Sequence, residues 1–366
     1  MATKFQVTKE KILDGLQRVQ NVVSTRTTLP ILSNVLLQAG KDGLSLTTTD
    51  LDVSVRCTVE AEVAKPGATT LPARKLFSIL KEVPANEIEI EVDERNAASI
   101  RCGSSFYKIM GLAEEEFPRF PQAEGAKALK IGQGELREML RKTAYAVSSD
   151  ETRYVLNGVF MSFKADKLTV VATDGRRLAL VEREIEVPKG EEAELIVPTK
   201  AVGELQRLLA DKGDVKLVVG ENQIIFTIGE TTLVSKLIEG TYPNFRQVIP
   251  TEAKERIQLE RESLLGALHR ASILASEKSQ SVKLSFGKNN LTITATTPEV
   301  GEAKETLAIN YKGKELAIAF NPQYMMDPLR NLDEDEVFIE LTDELSPGVL
   351  KVNAPFLYVL MPMRLS

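Results

Sequence analysis

The sequence lacks tryptophan and contains one histidine and two cysteines, and aromatic residues make up 5% of its 366 positions. Two cysteines, Cys57 and Cys102, are too few for a disulfide framework. Since both lie in alternating, strand-like stretches, we interpret them as buried, reduced thiols. A catalytic cysteine would require a histidine nearby, but His269 lies in a helical pattern typical of a surface or structural residue. Because the sequence has no Cys-x-x-Cys pair either, a zinc site is not expected.

Long apolar runs are also missing. No segment approaches the ~20 apolar residues of a membrane-spanning helix, and residues 1–10 lack the apolar centre of a secretory signal. The sequence has no Gly-x-Gly-x-x-Gly, no phosphate-binding Gly-Lys-Ser/Thr loop and no Gly-x-Ser-x-Gly. We therefore expect a cytoplasmic protein that does not contact membranes and has no bound metal or cofactor.

The 46 basic residues are outnumbered by 52 acidic ones, which gives a net charge of −6. A negative sum argues against nucleic acid as a partner, because nucleic-acid binding leaves a basic footprint. A ligand, however, responds to the local distribution of charge and not to the sum. Basic residues of the predicted helices and helix entries are Lys9, Lys11, Arg18, Arg74, Lys75, Arg137, Arg141, Lys142, Lys200, Arg207 and Arg270.

One pattern occurs three times along the chain. Each copy begins with an amphipathic helix, predicted over residues 11–23, 135–147 and 262–273. A pair of strands around a polar turn follows, then a strand that ends at or near a proline, a second helix and a closing pair of strands. Thr49, Thr173 and Thr297 are spaced 124 residues apart. This period is far longer than that of a solenoid repeat, so each copy is a domain in its own right.

The predicted fold class is therefore α+β, with three tandem domains that each pack two helices on one side of an antiparallel sheet. Strand alternation around Cys57, with apolar and polar residues in turn, indicates one buried sheet face. The proline-containing segments 117–121 and 242–245 resemble each other and are typical of extended linkers. They place the domains at residues 1–121, 122–245 and 246–366.

The residues alone leave the function open. Asp50 and Asp174 occupy equivalent positions of two repeats, and paired carboxylates could serve acid–base chemistry in an enzyme. Their equivalence in separate domains favours instead an aspartate that caps its own turn. Without a catalytic constellation, the remaining possibilities are an interaction scaffold with no role on DNA and a scaffold that acts on DNA.

Several blocks resemble the bacterial sliding clamp family, the beta subunit of DNA polymerase III. They are residues 28–34 (TLPILSN), 47–51 (TTTDL), 71–75 (LPARK), 153–158 (RYVLNG), 171–179 (VATDGRRLA), 235–245 (SKLIEGTYPNF) and 359–365 (VLMPMRL). Their order and spacing match as well as their content, from about residue 4 to the C-terminus.

The resemblance implies a non-catalytic processivity factor. Two chains would join head to tail into a ring of six domains around duplex DNA, with helices lining the hole and sheets outside. The acidic loops at 114–116 and 333–336 would then face outward. Short linear peptides would bind the clamp: those of the polymerase III alpha subunit, the delta subunit of the clamp loader, other DNA polymerases, mismatch-repair proteins and ligase. Such a ring would be cytoplasmic and associated with the nucleoid during replication.

The resemblance also assigns residues to three surfaces. The DNA-binding candidates are Arg26, Arg74, Tyr154, Lys200, Arg137 and Arg141. The lining of a partner-peptide pocket between the second and third domains would be Arg153, Leu156, Thr173, Gly175, Arg176, Arg177, Leu178, Pro243, Val248, Asn321, Tyr324, Val359, Met361, Pro362, Met363 and Arg364. The dimer contact would join Lys75, Tyr107 and Ile109 to Ile273, Leu274 and Glu277.

Some positions depart from the family pattern. Gln247 stands where a basic residue is expected, and Ser279 where some members have an aromatic residue. Ile273 and Leu274 have an alternative interpretation as core residues of the third domain.

Overall fold

The computed structural model describes residues 3–23, 29–84, 86–122, 128–188, 190–275, 281–298 and 300–364. Elements of the first repeat are β1 (Thr3–Thr8), α1 (Lys9–Val19), β2 (Asn34–Gly40), β3 (Gly43–Thr49), β4 (Val53–Val59), β5 (Glu62–Lys65), β6 (Gly67–Pro72), α2 (Ala73–Glu82), β7 (Glu87–Val92), β8 (Ala97–Cys102) and β9 (Ser105–Met110). Those of the second are β10 (Leu129–Gly132), α3 (Gln133–Thr143), β11 (Gly158–Lys164), β12 (Lys167–Thr173), β13 (Arg177–Glu184), β14 (Ala193–Pro198), α4 (Thr199–Leu208), β15 (Asp214–Val219), β16 (Gln223–Ile228) and β17 (Thr231–Lys236). Those of the third are β18 (Glu255–Glu260), α5 (Arg261–Ser272), β19 (Val282–Gly287), β20 (Asn290–Thr297), β21 (Gly301–Ala308), β22 (Leu316–Phe320), α6 (Pro322–Asn331), β23 (Glu336–Leu341), β24 (Gly348–Val352) and β25 (Ala354–Leu360).

This order confirms the predicted repeat of helix, strands, helix and closing strands. The predicted first helices were too long, because α1 and α3 end earlier and continue only as 3-10 turns, Gln20–Val22 and Ala144–Ala146. The hydroxyl of Thr143 donates to the carbonyl of Met139 at 2.8 Å, a back-bond that competes with continued α-helix.

The chain forms two compact units, residues 1–137 with 200–237 and residues 138–199 with 238–366. The first unit contains a five-stranded sheet, β5-β1-β7-β8-β9, and an eight-stranded sheet, β10-β15-β16-β17-β4-β3-β2-β6. The second contains an eight-stranded sheet, β14-β11-β12-β13-β25-β24-β23-β18, and a four-stranded sheet, β21-β20-β19-β22.

The antiparallel sheets are not confined to single repeats. Each repeat divides its strands between two sheets, and successive repeats share a sheet. The shared junctions are the antiparallel pairs β4 with β17 and β13 with β25. Pairing of these strands satisfies backbone groups that a separate four-stranded sheet would leave exposed at its edge.

Helix α1 packs closely on the sheet strands behind it. Its residues Ile12 and Leu16 are fully buried, and a Cβ added to Gly15 would lie 2.5 Å from Cδ1 of Leu46. The thiol of Cys57 donates to the carbonyl of Gly15 at 3.4 Å, and burial raises the pKa of this thiol to about 12. Cys102 is buried as well, so the prediction of two buried thiols is confirmed.

The hairpins fix how the three repeats align. In each repeat, a hairpin turn leads into β3, β12 or β20, and the first paired residue after the turn is Gly43, Lys167 or Asn290, respectively. Asp50, Asp174 and Thr297 each lie seven positions further on. Thr297 is thus the counterpart of Asp50 and Asp174. The 124-residue spacing had instead aligned Thr297 with Thr49 and Thr173. That alignment fails because the interval from the second hairpin to the third is one residue shorter than the interval from the first to the second.

Candidate functional site

The turn before β13 is built around Asp174. Its Oδ1 accepts the backbone N–H groups of Arg176 at 2.9 Å and Arg177 at 3.1 Å. Gly175 has a φ of +84°, and a Cβ at this position would lie 2.9 Å from Nη1 of Arg153. Only glycine adopts this conformation without strain and leaves room for that guanidinium. Asp174 is therefore a turn-capping residue, as its repeat equivalence had suggested.

Asp50 has the same role in the first unit. Its Oδ1 accepts the N–H groups of Asp52 at 3.0 Å and Val53 at 2.7 Å. Among the described residues, no group of three histidine, cysteine, aspartate or glutamate side chains is arranged to hold a metal ion.

Arg177 is the centre of a buried ionic network in the second unit. Its side chain is 10% exposed, its Nε lies 3.1 Å from Oδ2 of Asp174, and its Nη1 contacts the carboxylate of Asp327 on α6. Nη2 donates to the carbonyl of Tyr145 at 2.7 Å, and the guanidinium lies 4.3 Å from the ring centroid of Tyr324. This network joins the start of β13 to α6.

Beside this network lies an apolar cluster that reaches the surface. Its buried members are Leu156, Phe160, Val171, Leu178, Leu180, Ile196, Tyr242 and Val359. Phe245 and Ile249 pack against it, and two predicted lining residues nearby in sequence are exposed, Pro243 and the 48%-exposed Val248. Exposed apolar side chains next to a buried cluster are typical of a surface that binds an apolar ligand.

The C-terminal segment continues past β25 alongside both of these features. The N–H of Met361 donates to the carbonyl of Arg176 at 2.9 Å, and the N–H of Met363 donates to the carbonyl of Ala319 at 2.8 Å. Asn321 caps α6 by accepting the N–H of Tyr324 at 3.2 Å. The structure thus brings the predicted residues around 153–156, 173–178, 242–248, 321–324 and 359–363 into one neighbourhood, and Arg364 lies exposed at its end.

The predicted DNA-binding residues fall into two groups. Lys200 pairs with Asp50, Arg137 with Asp211 at 2.7 Å, and Arg141 with Asp333 at 3.0 Å. Arg74 is exposed and forms no ion pair within the described part of the chain, and Tyr154 is 58% exposed. Arg26 lies outside the described residues.

The acidic segment 333–336 contains two carboxylates that pair with basic residues at the end of α3. The hydrogen bond from Arg141 lowers the pKa of Asp333, and Glu334 lies 3.0 Å from Nζ of Lys142. Lys142 has a side chain only 3% exposed, so it is a buried structural cation and not one available to a phosphate. The segment thus connects the end of α3 to the start of β23 through ion pairs.

The described dimer candidates lie on β9, on α2 and just after α5. Tyr107 and Ile109 belong to β9, the last strand of the five-stranded sheet, and the exposed Lys75 lies on α2. Ile273, just after α5, is 72% exposed, which rules out the alternative that it packs in the core, whereas Leu274 is half-buried. His269 is exposed on α5 as predicted. Glu277 lies outside the described residues.

Sequence reasoning missed two residues of the second unit, Asp327 and Leu345. Asp327 is one of the two carboxylates that pair with Arg177. The two residues are 150 positions apart, so no local sequence pattern indicates that they pair. Leu345 is 82% exposed in the turn before β24, whose Gly348 pairs with Leu360 beside Met361. The sequence signal that could have indicated an exposed apolar side chain here is a single leucine flanked by polar residues and a proline.

A tandem-repeat α+β protein whose repeats share sheets is the class that this fold defines. Residues 3–121 match the N-terminal domain of the DNA polymerase III beta subunit, residues 130–244 its central domain and residues 246–364 its C-terminal domain. The beta sliding clamp of Chlamydia muridarum is 36% identical over 362 residues, 99% of each chain, and that of Pseudomonas putida is 37% identical over 366 residues, covering 99% of this chain and 100% of the relative.

Solved structures agree. The Bacillus subtilis sliding clamp superposes with a TM-score of 0.95 at 31% identity, and the Pseudomonas aeruginosa clamp bound to griselimycin with 0.94 at 36%, each over 100% of both chains. The chain belongs to the DNA polymerase III beta subunit family, the beta sliding clamps. The resemblance seen in the sequence is confirmed, and with it the function of a sliding clamp in DNA replication, a processivity subunit that is not itself an enzyme. Within the described residues, no helix is long and apolar enough to cross a membrane.

Proposed function

We propose that two copies of this chain join head to tail into a closed ring around duplex DNA and slide along it in the cytoplasm, on the nucleoid during replication. The ring tethers the polymerase III alpha subunit, the clamp loader through its delta subunit, other DNA polymerases, mismatch-repair proteins and ligase through their linear peptides. Each chain contributes three domains, at residues 1–121, 122–245 and 246–366.

The sheet edges support the ring most directly. In both shared sheets, the last strand of one repeat pairs with the fourth strand of the preceding repeat, β17 with β4 and β25 with β13. Two strands of the same kinds lack such a neighbour within the described part of the chain: β9 and β21 each end their sheet. Pairing β9 of one chain with β21 of the other continues the rule, and a head-to-tail contact made twice closes a dimer.

The internal junctions also supply a register. Thr231 pairs with Cys57, and the closing pairs of their hairpins align Thr231 with Ser105. With Gly43 aligned to Asn290, the cross-strand pairs Leu46–Cys57 and Ile293–Glu305 correspond, which aligns Cys57 with Glu305. Ser105 is therefore paired with Glu305 of the partner. The strands are antiparallel, so three positions after Ser105 correspond to three positions before Glu305. Lys108 is therefore paired with the partner's Glu302, and these two side chains have opposite charges.

Cross-linking tests the ring and its register together. A chain that carries Lys108→Cys and Glu302→Cys is expected to form two disulfides per dimer on mild oxidation, because opposite Cβ atoms lie about 4.5–5.5 Å apart. The native cysteines are buried and do not compete. Light scattering should give about twice the chain mass of 40.4 kDa before oxidation.

An off-register pair, Lys108→Cys with Lys304→Cys, provides the matched control and should cross-link far less. Equal cross-linking of both pairs would overturn the register. A wild-type mass of one chain at all concentrations would overturn the unaided ring.

The charges of the proposed DNA surface favour sliding over tight binding. Lys200, Arg137 and Arg141 are already paired with carboxylates of this chain, so only part of their charge is available to phosphates. Contacts from Arg74 and Tyr154 remain. Few, sequence-independent phosphate contacts hold no register on the duplex, so retention comes from the closed ring.

The apolar cluster and the C-terminal segment form the proposed peptide pocket. Replacing Met363 and Arg364 with alanine should weaken a partner peptide by ~1–3 kcal/mol, because adaptable apolar contact and a charged donor are removed from an interface centre. Fluorescence titration of a labelled peptide measures the loss, and light scattering checks that the dimer remains. Unchanged peptide affinity would contradict the pocket assignment.

A further inference from the structure

The first internal junction, where β4 pairs with β17, contains an ion pair formed by an aspartate of the β3–β4 turn. Asp50 caps this turn, and its Oδ2 pairs with Nζ of Lys200 on α4 of the next repeat. The same ammonium donates to the carbonyl of Val22 at 3.3 Å. Only 14% of the Asp50 side chain is exposed, so the pair is partly shielded from water.

The second internal junction has an equivalent arrangement. Asp174 caps the β12–β13 turn, and its Oδ2 lies 3.1 Å from Nε of Arg177, which reaches Asp327 on α6 of the following repeat. Here the turn carboxylate connects to the neighbouring helix through a guanidinium. In both junctions, an aspartate at one repeat position begins the ionic link to the second helix of the next repeat.

The third copy of this position lacks the carboxylate. Thr297 is the counterpart of Asp50 and Asp174, and its hydroxyl donates to the carbonyl of Leu274 at 2.8 Å within its own repeat. On the helix that would face it, Arg74 is the counterpart of Lys200, since each lies two residues after the proline that ends the preceding strand. Arg74 is exposed and has no carboxylate partner in the part of the chain described.

We propose that Thr297 weakens the contact between subunits, by leaving Arg74 of the partner chain without the carboxylate that its counterpart Lys200 has. This inference rests on the proposed head-to-tail dimer. Its consequence is a subunit contact that lacks one ion pair at each of the two junctions of the ring, and an Arg74 whose charge remains free.

Restoring the carboxylate tests the inference. Thr297→Asp is expected to slow subunit exchange between differently labelled dimers about three- to tenfold at low salt, by creating an ion pair at each of the two junctions. Thr297→Asn, which has nearly the same shape and no charge, is the matched control. The gain should shrink as salt rises and vanish when Thr297→Asp is combined with Arg74→Gln.

Exchange of Thr297→Asp no slower than that of Thr297→Asn would overturn the inference, as would a gain that survives Arg74→Gln. A second measurement needs no dimer variant: Asp50→Asn keeps the turn acceptor but removes the charge, and should increase amide hydrogen exchange along β17. Unchanged exchange there would also count against it. A wild-type chain that forms no dimer would overturn the proposed ring itself, a separate outcome read before any variant is made.

Discussion

Replacing Ile273 with aspartate is expected to convert the dimer into monomers. This side chain is 72% exposed in the single chain, just after α5 and in the third repeat, which the proposed junction joins to β9 of the partner. A carboxylate buried there against the partner's Tyr107 and Ile109 would lose its hydration without gaining a partner. We expect the dimer to weaken by ~3–4 kcal/mol, as for a central hot spot.

Leu345→Asp is the matched control for this change, because Leu345 is even more exposed but lies in the turn before β24, a strand that belongs to neither the β9 sheet nor the β21 sheet. Light scattering across a concentration series should show monomers for the first variant and dimers for the second. Dimers in both would remove α5 from the subunit contact. Monomers in both would mean that any charge on an exposed apolar residue disperses the assembly.

The sequence predicted the repeat and its helices because the apolar residues of each helix and strand recur at the spacing typical of that element. The two shared sheets had no such signal: Thr231 pairs with Cys57 from a distance of more than 170 residues, and the strand patterns on both sides are compatible with many neighbours. Strand pairing of this kind is decided by which edges remain free after local hairpins form, and a single sequence does not record that.

The candidate surfaces show the same limit. Asp174 was recognisable as a turn residue from its position, whereas its link through Arg177 to Asp327 spans 150 residues. Lys142 had the sequence environment of a solvated helix face, and only the fold reveals the carboxylates of Glu138 and Glu334 that bury it. The sequence thus identifies the basic residues, but only the tertiary structure identifies the carboxylates that pair with them. Those pairs decide whether a basic side chain is available to DNA.

The largest stability loss is expected from Arg177→Met. The side chains of Asp174 and Asp327 are only 13% and 16% exposed, and both carboxylates would lose the guanidinium that compensates them. Although burial by itself disfavours the guanidinium charge, Tyr358, Asp327 and Asp174 together raise the pKa of Arg177 above its ordinary value, so the charged form of this side chain is favoured. Removing one member of such a buried network costs ~3–5 kcal/mol.

Urea denaturation measures this loss, and two further variants separate its cause from a general effect of the substitution. Lys236→Met breaks an exposed pair with Asp52 and should cost at most about 1 kcal/mol. Combining Arg177→Met with Asp174→Asn and Asp327→Asn removes the uncompensated charges while an amide oxygen at position 174 still accepts the turn N–H groups, so most of the stability should return. A triple variant no more stable than Arg177→Met would show that packing of the guanidinium on Tyr324, and not charge, is what Arg177 contributes.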